Sequence, residues 1–209
     1  MDATSPRAAS LRVRVDTARL CLRPPRPSDV PNIRAALRRN VDHLRPFEPE
    51  GADTSKLAAV VAMVERERAL WRRDAKYTLF AFARAGARDV VGKVALSGIH
   101  RASFQSAFLG YWVDADSCGR GYATEAVAGM LAFAFGPLGL HRVQAAIMPR
   151  NAPSLSVAAK VGFRHEGTAK NYLKIAGSWE DHHIFALTKE DYDAGLGKPA
   201  SFEAPHIAV

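Results

Sequence analysis

Residues 109–128, LGYWVDADSCGRGYATEAVA, constrain this chain more than any other stretch. An aromatic and aliphatic run over 109–113 reads as a strand, and Asp114, Asp116, Ser117 and Cys118 read as a turn. Gly119-Arg120-Gly121 then leads without a break into an apolar helical pattern that starts at Tyr122. Strand, glycine loop and helix in that order put bare backbone at a helix start, where unpaired N–H groups and the helix dipole favour an anion. A phosphate or pyrophosphate site over 119–124 is therefore the expectation, with an ordinary strand-to-helix turn as the alternative. Neither standard nucleotide motif fits: no Gly-Lys-Ser/Thr follows, and Thr124 stands where G-x-G-x-x-G needs its third glycine.

A chain of 209 residues, 48% hydrophobic and 24% charged, is long enough for one sizeable core and short for two. Residues 1–190 are expected to form a single domain. Residues 191–209 carry several glycines and prolines without a period, and predict a loosely ordered tail. The opening MDATSPRAAS lacks the apolar core of a signal peptide, and the longest apolar runs, such as 127–135, fall short of a membrane span. A cytoplasmic chain with no membrane partner is expected. Cys21 and Cys118 lie far apart without metal-ligand spacing, so neither a disulfide framework nor a metal site is expected.

The net charge of +8 is concentrated at one end: residues 1–39 hold nine Lys and Arg against three Asp and Glu. Such a third could dock on RNA, a ribosome or an acidic partner, or be a solvated Arg-rich surface.

Alternation over Leu11, Val13 and Val15 and a short run at 20–23 predict an edge strand interrupted at 16–18. Ser28 or Asp29 then caps a helix with Val30, Ile33, Ala36 and Leu37 inside, ending near Asn40. A loop broken by Pro46, Pro49 and Gly51 follows, and Thr54 or Ser55 starts a second helix with Leu57, Val60, Val61, Val64 and Trp71 on one face. Strands at 78–84, 90–99 and 104–113, joined by turns at 86–89 and 100–103, form an antiparallel meander that delivers the chain to the glycine loop. The helix over 122–135 stops at Gly136-Pro137, and the strand over 141–148 returns parallel to 104–113. Asn151-Ala152-Pro153 opens a short helix that Gly162 closes, and strands at 164–175 and 179–188 complete the pattern.

With this order in hand, the chain resembles the GNAT superfamily of acetyl-CoA-dependent N-acetyltransferases. Cys118-Gly119-Arg120-Gly121-Tyr122-Ala123 is similar to that family's Q/R-x-x-G-x-G/A loop, with Cys118 where Gln or Arg is usual. Asn151, Ser154, Lys160, Gly162, Phe163, Glu166 and Gly167 are spaced as in the N-x-x-S-x-x-x-x-x-K-x-G-F-x-x-E-G signature of its ribosomal-protein branch. Arg101-Ala102-Ser103-Phe104, Leu109-Gly110-Tyr111, Met148-Pro149, the run from Ala169 to Leu173 and the run from Gly177 to His182 resemble the RimJ/RimL type, and RimJ more closely.

The resemblance implies an α/β (α+β) fold, a mixed, mostly antiparallel sheet with a central parallel pair, flanked by about four helices. It implies acetyl-CoA as cosubstrate, without a metal. The amides of Gly119, Arg120, Gly121, Tyr122, Ala123 and Thr124 would bind the pyrophosphate, Arg120 adding charge, with Cys118 a plain thiol. The pantetheine would lie between the strand ending at Val113 and the one ending near Met148, using backbone groups of Trp112 and Val113, with Asn151 on its amides. Ser154 matches the hydroxyl beside the sulfur, a catalytic donor to the leaving thiolate; the alternative is a helix-start hydroxyl bonded to backbone. His43, Phe47 and Glu48 in the loop after the first helix, with Tyr172 and Trp179 in the final hairpin, are acceptor-binding candidates, equally compatible with ordinary packing.

No carboxylate base is evident, because Phe108 and Leu173 occupy positions where relatives carry glutamate. An α-amine with a pKa of about 7.7 to 8.0 is partly neutral near pH 7, whereas a lysine amine near about 10.4 is scarcely so. The expected reaction is transfer of acetyl, by direct attack on the thioester, to the N-terminal α-amine of a ribosomal protein beginning with Ala or Ser. Acetylation of a small amine such as an amino acid, polyamine or antibiotic is the alternative, and an RNA- or ribosome-binding assembly factor is one of another class.

Overall fold

The computed structural model describes residues 8–49, 56–84, 89–199 and 204–209. Its strands are β1 (Arg14–Asp16), β2 (Leu20–Arg23), β3 (Lys76–Ala83), β4 (Val90–His100), β5 (Ser106–Val113), β6 (Arg142–Ile147), β7 (Arg164–Ile175), β8 (Ser178–Thr188) and β9 (His206–Ala208). They form a nine-stranded sheet in the order β7-β8-β6-β5-β4-β3-β2-β1-β9. Among the described residues only β5 and β6 pair in parallel, as a strand-helix-strand connection requires. Four helices of nine residues or more flank the sheet among the described residues: α1 (Val30–Arg39), α3 (Leu57–Arg72), α4 (Tyr122–Phe135) and α5 (Ala152–Lys160). Two short ones, α2 (Val41–Leu44) and α6 (Lys189–Asp193), replace expected loop. The mixed, mostly antiparallel fold read from the sequence is the fold observed.

Each sheet face has its own core. Alternation in β3 and β5 sends Phe80, Phe82 and Trp112 to one face, where they pack with Val30, Ile33, Ala36, Val60 and Val64 of α1 and α3. Leu79, Leu96, Leu109 and Val143 point to the other face, onto Val127, Met130, Leu131 and Phe133 of α4. Every residue of α4 from Glu125 to Phe135 is buried, which is why its sequence is apolar all round rather than along one stripe. No helix among the described residues is long and apolar enough to cross a membrane.

The ends of the chain differ from the sequence expectation. β1 is not an edge, because β9 pairs with it through Val15↔Ile207. Residues 191–199 are built against the protein: a capping box from Thr188 to Asp191 starts α6, Tyr192 lies 5.0 Å from the Phe135 ring, and Gly197 N–H bonds to Val161 O at 2.8 Å. An apolar helix needs cover on its outer side, and this segment supplies it. Asp29 does not cap α1 with its side chain. It receives Arg23 Nη1 and Nη2 at 2.6 and 2.8 Å and Arg26 N–H at 2.8 Å. Burial pushes that carboxyl up, and the bonds and charges of Arg23 and Arg26 outweigh it, leaving the pKa below the ordinary range. The helix caps foreseen at Thr54 or Ser55, and most of the 86–89 turn, lie outside the described residues.

Helix α4 lies so close to β2 that a Cβ on Gly129 would sit 2.7 Å from Leu22 Cδ1. Gly129→Val is expected to destabilise the protein by about 2 kcal/mol through overpacking, more than β-branched helix propensity alone accounts for; denaturant unfolding checks it, and unchanged stability would contradict the packing.

Candidate active site

The central parallel pair is incomplete. The β5–β6 ladder runs through Phe108↔Gln144 and ends at Leu109↔Ala145, although β5 continues to Val113 and β6 to Ile147. From Gly110 and Ala146 onward the strands part, leaving backbone groups of a central strand without a sheet partner on that side. A phenol spans the opening: Tyr111 O–H donates to Ser154 O, in the first turn of α5, at 3.2 Å. Burial pushes the Tyr111 pKa up to about 12 against the effect of that bond, so it remains a donor. The same turn is fixed by Asn151 Oδ1, which accepts from Ser154 N–H at 3.2 Å. Asn151 is thus an N-cap through its oxygen, leaving the amide NH2 for any ligand. Ser154 Oγ has no hydrogen bond among the described residues.

At the end of the opening the chain makes the glycine loop. Gly119 and Gly121 have φ of +74° and +80°, a region that L side chains avoid. The first helical bond of α4 is Glu125 N–H to Gly121 O at 3.0 Å, so the amides of 119–124 precede it and form the anion-binding end of a 14-residue helix. Glu125 would repel an anion there, and Arg19 offsets it. Arg19 Nη2 lies 2.6 Å from Glu125 Oε2, its backbone N–H bonds to Oε1 at 2.7 Å, and its Nη1 reaches Arg120 O at 2.8 Å. The Arg19 guanidinium also lies 4.7 Å from the Tyr122 ring centre. No local sequence signal joins residues 106 apart, and the sequence reading missed this pair.

A second missed cluster ties the loop to α1. Asn40, fully buried, donates to Asp114 Oδ2 at 2.9 Å and to Ala36 O at 2.8 Å, and accepts from Ala115 N–H at 2.8 Å. Arg39 Nε also binds Asp114 Oδ2, and Arg39 Nη2 reaches Val90 O at 2.8 Å. The segment after α1 is thereby attached to the start of the glycine loop. His43, in α2, falls beside that loop, with Nε2 3.7 Å from Cys118 Sγ. Burial and the Asp114 charge raise the Cys118 thiol pKa, which disfavours the thiolate a nucleophile needs. At least four arginines of the basic N-terminal third, Arg14, Arg19, Arg23 and Arg39, are committed to ion pairs within the protein.

The other acceptor candidates divide. Arg150 joins two of the segments: its Nη2 donates to Pro46 O at 2.9 Å and to Glu180 Oε1 at 3.0 Å, and its guanidinium lies 5.6 Å from the Phe47 ring centre. Tyr172 lies 5.6 Å from the buried His182 ring. Trp179 is exposed, and pairs with Lys174 in the turn region of the hairpin. Glu48 is felt by Lys93, the strand partner of Trp112, whose pKa burial lowers while the Glu48 charge opposes. The Trp112 indole N–H has no partner among the described residues. Phe108 and Leu173, at 37% and 41% exposure, leave the expected glutamate positions apolar.

An opened parallel pair that runs into a helix-start anion site suits a long ligand with a phosphate end. In agreement, residues 19–164 match the family described as "Acetyltransferase (GNAT) domain". The chain belongs to that family and is an acetyl-CoA-dependent N-acetyltransferase. Its fold is similar to that of Mycobacterium smegmatis RimJ in complex with CoA-disulfide, with a TM-score of 0.80, 30% identity, and 89% of this chain and 96% of that chain covered. It is also 29% identical to the Escherichia coli (strain K12) "[Ribosomal protein uS5]-alanine N-acetyltransferase" over 88% of this chain and 95% of the relative. With the Bacillus subtilis (strain 168) "Probable N-acetyltransferase YjcK" it shares 41% identity over 57% of this chain, spanning 65% of that relative's length.

Gly121→Asp combines a strained φ, a Cβ 3.3 Å from Arg19 Nη2 and a new negative charge at the helix start. Calorimetry with CoA is expected to show affinity reduced by about 100-fold or more; undiminished affinity in a folded variant would refute the loop as the anion site.

Proposed function

We propose that this protein acetylates the N-terminal α-amine of a protein, a ribosomal protein beginning with Ala or Ser, by direct attack of the amine on the thioester of acetyl-CoA. The observation that carries the reading is the β5–β6 opening, beside which Arg150 links Pro46 to Glu180 of the β7–β8 hairpin. In this reading the pyrophosphate lies on the amides of Gly119, Arg120, Gly121, Tyr122, Ala123 and Thr124. The pantetheine fills the opening against the backbone of Trp112 and Val113, with the Asn151 amide N–H groups on its carbonyls. Ser154 Oγ then hydrogen-bonds the leaving sulfur from a turn that Asn151 and Tyr111 hold in place.

Two considerations favour an α-amine over a lysine side chain. The similarity to uS5-alanine N-acetyltransferase extends over most of both chains. At Phe108 and Leu173 no carboxylate is present to strip a strongly basic ammonium, and an α-ammonium at about 7.7 to 8.0 requires far less help than lysine at about 10.4.

Acetyl-CoA turnover with an Ala-starting peptide, the same peptide blocked at its N-terminus but carrying a lysine, and a panel of small amines tests the reading. At neutral pH the free α-amine is expected to exceed the lysine acceptor by about 100-fold or more, following the difference in neutral fraction. Faster turnover of the lysine peptide, or of a polyamine or amino acid, would overturn it.

A further inference from the structure

Acetylation leaves one proton to be removed from the attacking nitrogen, and the glutamate positions are apolar. We propose that His182 Nε2 accepts that proton. The proposal rests on the acetyl-transfer reading above, with the thioester in the β5–β6 opening.

Strand register places the residue. β6 pairs with β8 through Ala146↔Ile184 and Ile147↔His183, so His182 lies alongside Met148, which follows β6, at the mouth of the opening. Alternation puts His182, Ile184 and Ala186 on the sheet face that carries Gln144, Phe108 and Trp112, the face shared with α1 and α3. Its neighbours Phe185 and Leu187 face α4 and α5 instead.

The tautomer is set by geometry. His182 is 3% exposed, and its Nδ1 lies 3.0 Å from Glu180 O. A carbonyl oxygen only accepts, so Nδ1 carries the hydrogen and Nε2 of the neutral ring presents a lone pair. Nε2 has no hydrogen-bond partner among the described residues, and it is not among their sealed orphan atoms, which are Asp16 Oδ1 and Trp112 Nε1. An imidazole is thus held by one nitrogen while the other is left open. The ring is also held in orientation. The β7–β8 register shifts between Ala169 and Leu173, and Asp181 pins the irregular segment by accepting from Asn171 N–H at 2.9 Å and Lys170 Nζ at 2.7 Å. Bulges re-aim side chains, and this one brings Tyr172 onto His182, with ring centres 5.6 Å apart.

The other titratable groups around it are less suited. Glu180, cross-strand from Leu173, is paired with Arg150. Asp181 is engaged by Lys170 and Asn171, with its pKa held down by those bonds. Tyr111 is a donor at about 12, and His43 lies against Cys118. In the step, the amine lone pair forms the N–C bond to the thioester carbon and one N–H proton passes to Nε2. The C–S bond then breaks, the thiolate gains a proton from solvent through the Ser154 hydroxyl, and the imidazolium returns its proton to solvent. The net transfer is one proton from nitrogen to sulfur.

His182→Gln keeps an N–H that can reach Glu180 O but has no basic nitrogen, and His182→Ala leaves a hole that free imidazole can enter. With the Ala-starting peptide, kcat/KM at pH 7 is expected to fall by about 100-fold in both variants while the KM for acetyl-CoA stays within about twofold. Imidazole should restore His182→Ala but not His182→Gln, and both variants should recover as pH rises through the range where the α-amine deprotonates itself. Nitrogen NMR of the wild-type imidazole should report the Nδ1–H tautomer, a readout that needs no variant. A loss below threefold, a uniform loss with an unchanged pH profile, or an Nε2–H tautomer would overturn the proposal. A wild type active only on small amines would overturn the peptide reading instead, and His182 is then scored by the same criteria on the amine that is acetylated.

Discussion

Everything at the candidate site depends on the termination of one ladder, at Leu109↔Ala145, in the middle of a sheet. Strands normally stay paired because an unpaired backbone polar group costs free energy comparable to a lost hydrogen bond. Here two central strands diverge while their outer neighbours, β4 and β8, remain in register beside them. The bonds given up by β5 and β6 are available to a ligand with amides of its own, as pantetheine has. Tyr111 O–H and Asn151 Oδ1 both bond the backbone of Ser154, which ties β5 to the first turn of α5.

The remaining parts are distributed by charge and by buried hydrogen bonds rather than by proximity in sequence. Arg19 neutralises Glu125 and braces Arg120 O, so the start of α4 keeps its positive end despite an acid in the first turn. Asn40 and Asp114 attach the segment after α1 to the glycine loop, and Arg150 attaches that same segment to the hairpin that carries His182. The glycine loop, the segment after α1 and the β7–β8 hairpin are therefore one connected unit. Two of the nine arginines of the N-terminal third, Arg19 and Arg39, take part in building it.

The fold was legible because each element carries a local signal. The aromatic run 109–113, the glycines at 119 and 121 and the uninterrupted apolar run of α4 announce strand, loop and core helix, and Asn151 with Pro153 announces α5. What was not legible is long-range. β9 is three residues whose pairing with β1 is long-range, and α6, started by the local capping box of Thr188 and Asp191, packs through Tyr192 on the distant Phe135. At the candidate site, Trp112 and Val113 lie on the stretch of β5 beyond the last β5–β6 pair, and residues 119–124 lie at the start of α4. The pairings Tyr111 with Ser154, Arg19 with Glu125 and Asn40 with Asp114 span 43, 106 and 74 positions and leave no pattern in a single sequence. His182 stood inside a recognised motif, yet only the register shows which way it faces.

The central claim, that the parted strands hold the cofactor, is tested most directly by hydrogen exchange with and without CoA. Slowed exchange is predicted at the amides of 110–113 and 146–148 in the opening together with 119–124 in the loop, with β1, β2 and β9 unchanged. Protection confined to the glycine loop, or centred elsewhere on the sheet, would contradict it.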